Sequence, residues 1–554
     1  MFYVFFLLFA CSLQGLSLYV DSIPKDASLA EVFENPILLP TIHGISVYDQ
    51  SEWESSEIGG VQIHLIDPPF PDCDLESKLE SFLELDLTQD RLDRIKETVI
   101  ALYEKASRPI VSVFFPQQNL TSGYLQMRVV EGSLNDYQFC GQKYSSPSRL
   151  KKMIGIEPGD PIDIDQVASG LAWWNRNPFR YTNAIFSPGD SFGTTNMELV
   201  TKDAIPVRPF AGADNTGNTE TGYDRLFCGI QIGSIFGFDQ IFNYQYTVST
   251  DWSHFWAHTA SYSLPVAKQH QLFFFGGYSQ LKARLSSGEM DNEGRLTQVS
   301  GRYQFILNPL YGPFLHEFHF GYDFKKTNSS IFFGDFTVSS TAPEINQFMM
   351  GYYLDYKASR YLVSFNAEIF ASPFQITADQ SNADFQMLRP YAINKYIYGR
   401  TRLSYTQFLP HEFSIALVGM GQLANQNLLP SEQIGLGGYA TVRGYTEREV
   451  NGDSGTMLSG ELRMPPLSPV QRWSCKKVRD ELLFYAFMDY GLAHIHHPVS
   501  GEKTNIWLLG TGPGVKYSLE TNISFRAEYG FALHKTGVAP DRTGRWHLGG
   551  VISY

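Results

Sequence analysis

The sequence IGLGGYATVRGYTEREVNGDSG, residues Ile434–Gly455, sets the motif Val442-Arg443-Gly444-Tyr445 among glycines and short polar residues. It follows the strand-like segment Phe413–Val418 and precedes another strand-like run, so we expect a long loop between two strands. An arginine in such a loop is commonly a solvated turn residue. Its meaning therefore depends on the rest of the chain.

The composition is typical of a membrane β-barrel. The chain has 554 residues, enough for several domains, and its 57 acidic and 43 basic side chains give a net charge of −14. This charge argues against nucleic-acid binding, which depends on basic surfaces. Aromatic residues reach 14% of the chain, yet the mean hydropathy is slightly negative. A membrane barrel combines the two because it exposes aromatic residues to lipid and lines its lumen with polar ones.

The N-terminal segment predicts export. Phe2–Phe9 is a short apolar run followed by small residues, as in a signal peptide of residues 1–17 with cleavage near Ser17. No later stretch approaches twenty apolar residues, so a mature chain that enters a membrane must do so as a closed barrel. Residues 18–59 are predicted to be irregular, with 18–39 as a leader or a short plug whose one helical candidate is Ser28–Glu34.

A β-α-α-β-β pattern occurs twice, within residues 40–133 and 134–205. The first copy is predicted to contain a strand at Val61–Ile66, a helix capped by Asp72 or Asp74 with Leu75, Leu79 and Phe82 on one face, a helix from Thr88 or Asp90, and strands at Ile110–Phe115 and Tyr124–Val130. The second copy is predicted to contain a strand at Leu134–Cys140, a helix at Ser148–Ile154, a helix capped by Asp163, and strands at Arg180–Phe186 and Asn196–Val200.

Residues 206–554 alternate between apolar and polar side chains, which predicts strands. One segment places these residues on its apolar face: Phe318, Phe320, Tyr322 and Phe324. The last segment keeps the alternation to a terminal aromatic residue, through Trp546, Leu548, Gly550, Ile552 and Tyr554. We interpret the whole region as a barrel with apolar residues facing lipid and polar residues facing the lumen.

Short motifs in a fixed order connect the repeats and the barrel to a known family. The repeats contain Pro116-Gln117-Gln118, Val129-Val130-Glu131-Gly132, Asn177-Pro178-Phe179-Arg180 and Pro188-Gly189. The start of the barrel contains Asp214-Asn215-Thr216-Gly217, Thr221-Gly222 and Gly237-Phe238-Asp239, and Val442-Arg443-Gly444-Tyr445 is followed by Phe487-Met488-Asp489-Tyr490-Gly491. The repeats resemble POTRA domains. The chain as a whole resembles the outer-membrane transporters of two-partner secretion, the haemolysin and filamentous-haemagglutinin exporters.

The resemblance implies a barrel of sixteen strands in the bacterial outer membrane and two POTRA domains in the periplasm. It implies transport of a large exported partner protein, of β-helical type, to the cell surface. The loop is implied to fold into the lumen with Arg443 at its tip. Residues implied to hold it there are Arg443, Asp489, Val442, Gly444, Tyr445, Phe487 and Gly491. The nearest rival is a relative that inserts other barrels into the outer membrane, although such relatives usually carry more POTRA copies.

Alternation within Leu482–Gly491 predicts which side chains point inward. Leu482, Phe484, Ala486 and Met488 share the lipid face, so Phe487, Asp489 and Gly491 face the lumen. With the loop folded inward, Arg443 can form a bidentate pair with Asp489, and Gly444 supplies the backbone freedom for the turn. A wet lumen is expected to reduce the cost of losing this pair.

Two predicted strands are candidates for binding the exported partner. An exposed strand edge offers main-chain hydrogen bonds that tolerate varied sequences, so we expect β-augmentation at Ile110–Phe115 and Arg180–Phe186. The candidate contact residues are Ile110, Val111, Val113, Arg180 and Asn183. The alternative is that these edges only pack the two domains together.

Two other motifs, and the absence of a third, bear on enzymatic, metal-binding and nucleotide chemistry. Gly452-Asp453-Ser454-Gly455 is similar to a serine-protease nucleophile motif, but no upstream histidine has a recognisable catalytic setting, so Ser454 is predicted to be a turn residue. His494, His496 and His497 are predicted to lie in a solvated loop and to bind no metal. The chain lacks a GxxxxGK[ST] sequence, so we expect transport without nucleotide or other cofactor.

The mature cysteines leave their pairing open. Cys73, Cys140, Cys228 and Cys475 are widely spaced and form no CxxC motif, so a zinc site of that type is not predicted. A Cys73–Cys140 disulfide is one possibility among three connectivities, and four free thiols are another.

Overall fold

The computed structural model describes residues 37–39, 41–49, 59–218, 222–235, 237–284, 290–307, 312–333, 336–473, 478–538 and 543–554. The described residues divide into two compact units, one ending at Ala204 and the other beginning at Ile205. No helix in these ranges is long and apolar enough to cross a membrane. The predicted signal peptide, the helical candidate Ser28–Glu34 and Cys475 lie outside the described residues.

The first unit begins with an α+β domain. Its elements are β1 (Ile37–Leu39), β2 (Gly44–Tyr48), β3 (Gly60–His64), α1 (Asp72–Glu80), β4 (Leu87–Thr88), α2 (Gln89–Lys105), β5 (Val111–Phe114) and β6 (Tyr124–Glu131). Four strands form a sheet in the order β3-β2-β6-β5, in which β2 runs parallel to both neighbours and β5 runs antiparallel to β6. Both helices pack against this sheet around one apolar core.

Two details of this domain correct the sequence analysis. Residues 44–48, predicted to be irregular, form the central strand β2, and all five residues are buried. A five-residue strand whose partners are far along the chain gives little local signal within a stretch rich in proline and glycine. The residue preceding α1 is Pro71, and no side chain caps this helix, so the predicted Asp72 or Asp74 cap is wrong. The predicted Thr88 cap of α2 is confirmed, since its hydroxyl accepts the Arg91 N–H at 3.3 Å.

A second α+β domain completes the first unit. Its elements are β7 (Ser133–Cys140), α3 (Pro147–Ile154), α4 (Ile164–Trp174), β8 (Arg180–Pro188) and β9 (Thr194–Asp203). The sheet order is β7-β9-β8, so β8 is an edge strand. The Asp163 carboxylate accepts the Gln166 N–H at 2.9 Å, which confirms the predicted cap of α4.

The second unit is a β-barrel. Its first strands are β10 (Val207–Asp214), β11 (Arg225–Gly233), β12 (Ile241–Ser249), β13 (Phe255–Ala267), β14 (His270–Arg284), β15 (Met290–Ile306), β16 (Phe314–Phe333), β17 (Phe336–Thr341) and β18 (Glu344–Lys357). The chain continues through β19 (Tyr361–Ser372), α5 (Asn382–Leu388), β20 (Tyr396–Phe408), β21 (Ser414–Ala424), β22 (Ile434–Leu436) and β23 (Val450–Gly452). It ends with β24 (Ser454–Arg463), α6 (Pro469–Trp473), β25 (Asp480–His494), β26 (Asn505–Leu519), β27 (Ile523–Ala532) and β28 (Gly544–Ser553).

Every pairing in the wall of the barrel is antiparallel, and β28 pairs with β10 to close it. Since β17 and β18 both pair with β16, they are two parts of one wall strand. The described residues therefore form a closed barrel of sixteen strands, with β22 and β23 paired separately. The predicted fold, two α+β domains followed by an antiparallel barrel, is confirmed.

Alternating burial along β25 shows which side chains face inward. Phe484 and Met488 are 42% and 56% exposed, whereas Phe487 and Asp489 are 3% and 0% exposed. Successive side chains of a strand point to opposite faces, so the exposed set lies on the outer surface and the buried set inside the barrel. The inward side chains of this strand are therefore available to contacts within the lumen.

Candidate functional site

The connection between β21 and β24, residues 425–453, is called here the lumen loop. Its strands β22 and β23 form a short hairpin, and its apolar side chains pack with residues of the barrel wall. This cluster contains Ile434, Leu436, Val442, Tyr445 and Val450 of the loop, with Met457, Ala493 and Leu508 of the wall. The loop thus lies against the inner surface of the barrel, and burial of these side chains stabilises that position.

Arg443 and Asp489 form the bidentate pair that the sequence suggested. The Arg443 guanidinium donates from Nε to Asp489 Oδ2 at 2.7 Å and from Nη2 to Oδ1 at 2.8 Å. The backbone N–H of Arg443 also donates to Oδ2, at 3.0 Å. The expectation of a wet environment is wrong, because Arg443 is 4% exposed and Asp489 is fully buried.

Additional groups surround the same guanidinium. Its Nη1 donates to Glu461 Oε1 at 2.8 Å and lies 3.5 Å from Glu528 Oε2. Its Nη2 also donates to the Ser459 hydroxyl at 3.1 Å. The Phe487 ring lies beneath it, with 3.6 Å from the guanidinium carbon to the ring centroid, in a cation–π contact. One loop cation therefore meets carboxylates from β24, β25 and β27.

Glycines allow the loop to approach the wall this closely. Gly444 has φ of +100°, and a Cβ there would lie about 3 Å from backbone atoms of β27. A Cβ at Gly491 would lie 2.8 Å from Val442 Cγ2, so the missing side chain makes room for Val442. The Gly444 N–H donates to His547 Nε2 at 2.9 Å, which connects the same turn to β28.

Tyr445 connects the loop to two further segments. Its hydroxyl lies 3.0 Å from the Leu509 carbonyl oxygen and 2.7 Å from that of His534. It also accepts the N–H groups of both residues, each at 3.2 Å. The seven residues predicted to hold the loop thus meet in one buried region. Ser459, Glu461, Glu528 and His547 were not predicted from the sequence, and the one signal that points to them is their position on the inward face of alternating strands.

Asp453 and Ser454, at the end of the loop, have structural partners. Asp453 accepts hydrogen bonds from the backbone N–H groups of Leu428, at 2.9 Å, and His496, at 3.1 Å. It also forms an ion pair with Arg389 at 2.9 Å. The Ser454 hydroxyl accepts the Ala424 N–H at 3.0 Å and lies 3.3 Å from His496 Nε2. These contacts join the ends of the loop to neighbouring connections.

The three histidines bond to different groups, although the rings of His494 and His496 meet edge to face with their centroids 5.1 Å apart. His494 Nδ1 is paired with the Asn505 side-chain oxygen at 2.8 Å, and the His497 N–H donates to the Asn427 side chain at 2.9 Å. Within the described ranges, no three His, Cys, Asp or Glu side chains are grouped to hold a metal ion. Among the cysteines that the structure describes, Cys73, Cys140 and Cys228 are unpaired and exposed.

The two candidate partner-binding strands, β5 and β8, are both sheet edges. On β5, Val113 is buried in the core of its own domain, and Ile110 just before the strand packs against the core of the second domain. On β8, Arg180 stacks on Trp174 at 3.3 Å, whereas Asn183 is exposed. The Asn175 side chain accepts the Thr182 N–H at 2.8 Å and donates to the Thr182 carbonyl oxygen at 2.9 Å, so β8 is the more accessible edge only beyond Thr182.

Comparisons with known proteins agree with this architecture. The outer membrane transporter CdiB of Dickeya dadantii is 22% identical over 417 residues, which cover 71% of this chain and 68% of that protein. The heme/hemopexin transporter protein HuxB of Haemophilus influenzae is 21% identical over 465 residues, covering 79% and 77%. The solved structure of CdiB from Escherichia coli has a TM-score of 0.73 at 18% identity, covering 96% of this chain and 94% of that one. The structure of CdiB from Acinetobacter baumannii has a TM-score of 0.64 at 19% identity, covering 94% and 91%.

The model of the haemolysin secretion/activation protein family, ShlB/FhaC/HecB, matches residues 193–517, which are more than half of the chain. The match includes the lumen loop and the strand that carries Asp489. The chain therefore belongs to the haemolysin secretion/activation protein family.

Proposed function

We propose that this protein is a pore of the bacterial outer membrane that carries an exported partner polypeptide to the cell surface. The observation that carries the proposal is a closed barrel whose lumen loop is held to the inner wall by the buried Arg443–Asp489 pair. Membership of a secretion family and the likeness to outer membrane transporters support it. The two α+β domains are the POTRA domains, located in the periplasm, with boundaries at residues 40–133 and 134–205.

In this proposal the POTRA domains receive the partner before it enters the barrel. An extended segment of the partner adds to the edge of β8, because main-chain hydrogen bonds accept many sequences. Arg180 is 8% exposed and its guanidinium stacks on the Trp174 ring, so Arg180 could bind the partner only through its main chain. Ile110, immediately before β5, packs against the core of the second domain, so β5 is the secondary edge.

The proposal assigns no catalytic role to Ser454. His496 Nε2 lies 2.8 Å from the Ala424 carbonyl oxygen, a distance that requires a proton on this nitrogen. A protonated Nε2 has no lone pair with which to accept the Ser454 proton. His496 therefore cannot serve Ser454 as the general base that a serine hydrolase requires. We propose that the chain is not an enzyme and that folding of the partner outside the cell drives transport without nucleotide.

Export and binding assays test this function. Cells that produce the protein together with a large exported protein as the candidate partner, sought first among the neighbouring genes, should display that partner on their surface, and cells without the transporter should not. A fragment of residues 40–205 should bind the N-terminal region of the partner, and Phe186→Pro should weaken binding, because it removes an N–H that alternates with those bonded to β9 and so faces the open edge of β8. Phe186→Ala is the control, and both variants must keep the far-UV circular dichroism of the parent. Absence of surface display would refute the proposed function.

A further inference from the structure

A second buried charge of the lumen loop contacts a different part of the wall. Glu432 is fully buried, and its carboxylate accepts hydrogen bonds from Lys325 Nζ at 2.7 Å, from Gln347 Nε2 at 3.0 Å and from the Tyr398 hydroxyl at 2.6 Å. These three partners belong to β16, β18 and β20. A carboxylate this deeply buried requires such partners, since an unpaired buried charge is strongly unfavourable.

The backbone of Glu432 is held as well as its side chain. Its carbonyl oxygen accepts hydrogen bonds from Arg400 Nη2 at 2.7 Å and from Gln422 Nε2 at 3.0 Å. Those donors belong to β20 and β21. The carboxylate and the carbonyl oxygen of Glu432 are therefore both fixed by hydrogen bonds from the wall, between β16 and β21.

Apolar packing supports the same position. Leu428 and Leu429, just before Glu432, are each 1% exposed and pack with Phe385 of α5 and with Tyr396 and Tyr398 of β20. This segment of the loop, residues 427–433, is called here the base, and residues 439–446 around Arg443 are called the tip. Among the wall residues that the structure describes, the side chains that bond to Arg443 are different from those that bond to Glu432.

We infer that Glu432 is a second positioning residue, which holds the base of the lumen loop on the wall from β16 to β21 and thereby places Arg443 opposite Asp489. The loop then bridges the lumen, with its base on one part of the wall and its tip on the strands from β24 to β28. The effect of this bridge on partner export rests on the proposed function. The position of the loop does not, and it can be measured without any partner.

Tryptic cleavage of the purified barrel protein measures the position of the loop. Arg448 is an exposed residue of the loop, whereas Arg443 is buried. Glu432→Gln removes the charge from the base, and we expect cleavage within the loop to become about tenfold faster, as for a lost charge-assisted hydrogen bond. Lys325→Met should have a similar effect. The double variant should be cleaved no faster than the faster single variant, because the two residues form one pair.

Matched variants separate positioning from general stability. Lys326→Met is the control, since Lys326 follows Lys325 on β16 but pairs with Glu344 at 2.7 Å and not with the loop. Glu432→Asp keeps the charge and should restore cleavage to within about threefold of the parent. Tyr398→Phe removes a single hydroxyl and should make cleavage about threefold faster. This milder variant replaces Glu432→Gln if that variant fails to assemble.

The temperature at which the folded barrel band disappears on a semi-native gel should change little in all these variants. Unchanged loop cleavage in Glu432→Gln, or in Tyr398→Phe if Glu432→Gln fails to assemble, would overturn the inference. Faster cleavage that only accompanies a lower barrel melting temperature would also overturn it. Faster cleavage at an unchanged melting temperature, with no export by the parent protein, would leave the inference standing and refute the proposed function instead.

Discussion

The tip and the base of the lumen loop are held by opposite charge arrangements. At the tip, the Arg443 cation is surrounded by carboxylates of the wall, Asp489 foremost. At the base, the Glu432 anion is surrounded by donors of the wall, Lys325 foremost. Each end therefore presents a buried charge that is satisfied only when the loop is docked. A recognisable sequence motif marks the tip, whereas the base is held by an equally buried charge that no motif marks.

The largest expected effect is at the tip. Arg443→Ala leaves the buried carboxylates of Asp489 and Glu528 without their cation, and breaking a buried pair costs about 3–5 kcal/mol. We expect the barrel to assemble, the loop to become accessible to protease and surface display of the partner to be lost. Arg443→Lys keeps the charge but cannot form the bidentate pair, so partial display is expected. Wild-type display by Arg443→Ala would show that the tip has no role in transport.

A smaller effect is expected at Asp453, which ends the lumen loop and bonds to the base. Asp453→Asn replaces one carboxylate oxygen with an amide donor that faces the donors of Leu428, Gln433 and Arg389. We expect about 2 kcal/mol of lost loop stability, measured as faster cleavage of the lumen loop. Ser454→Ala is the matched neighbour, and it should leave loop cleavage and partner display close to those of the parent. A loop cleaved equally fast in both variants would contradict a specific role for Asp453.

The smallest effect is expected at Tyr445. Tyr445→Phe removes the hydroxyl that bonds to the backbone of Leu509 and His534 but keeps the ring in its apolar cluster. We expect a loss of about 1 kcal/mol, seen as slightly faster loop cleavage with export retained. Tyr439→Phe, on the same loop, serves as the control for loss of a phenolic hydroxyl. A complete loss of export in Tyr445→Phe would show that the ordering of effects is wrong.

The fold could be predicted from the sequence because its strands and helices repeat local patterns of apolar and polar residues. Alternation specifies strands and their inward faces, so Asp489 was correctly assigned to the lumen from the residues around it. Periodicity and the Thr88 and Asp163 caps located α2 and α4. The motif around Arg443 was recognisable because glycines must occur where the loop turns against the wall, as at Gly444.

The remaining features depend on contacts that no local pattern encodes. Glu432 meets Lys325 and Gln347, which lie 107 and 85 residues earlier, and a glutamate in a loop gives no sign of burial by itself. The strand β2 was missed because its parallel partners are separated from it in sequence. Burial of the Arg443–Asp489 pair was underestimated for the same reason, because the residues that surround it, Glu461 and Glu528 among them, come from different strands.

The most direct test is a double-mutant cycle on Arg443 and Asp489. Arg443→Ala, Asp489→Ala and the double variant would each be measured for surface display of the partner and for tryptic cleavage of the lumen loop. The pairing predicts that the double variant is no worse than the worse single variant, with a coupling free energy of about 2 kcal/mol or more. Losses that simply add, with each residue acting independently of the other, would contradict the account.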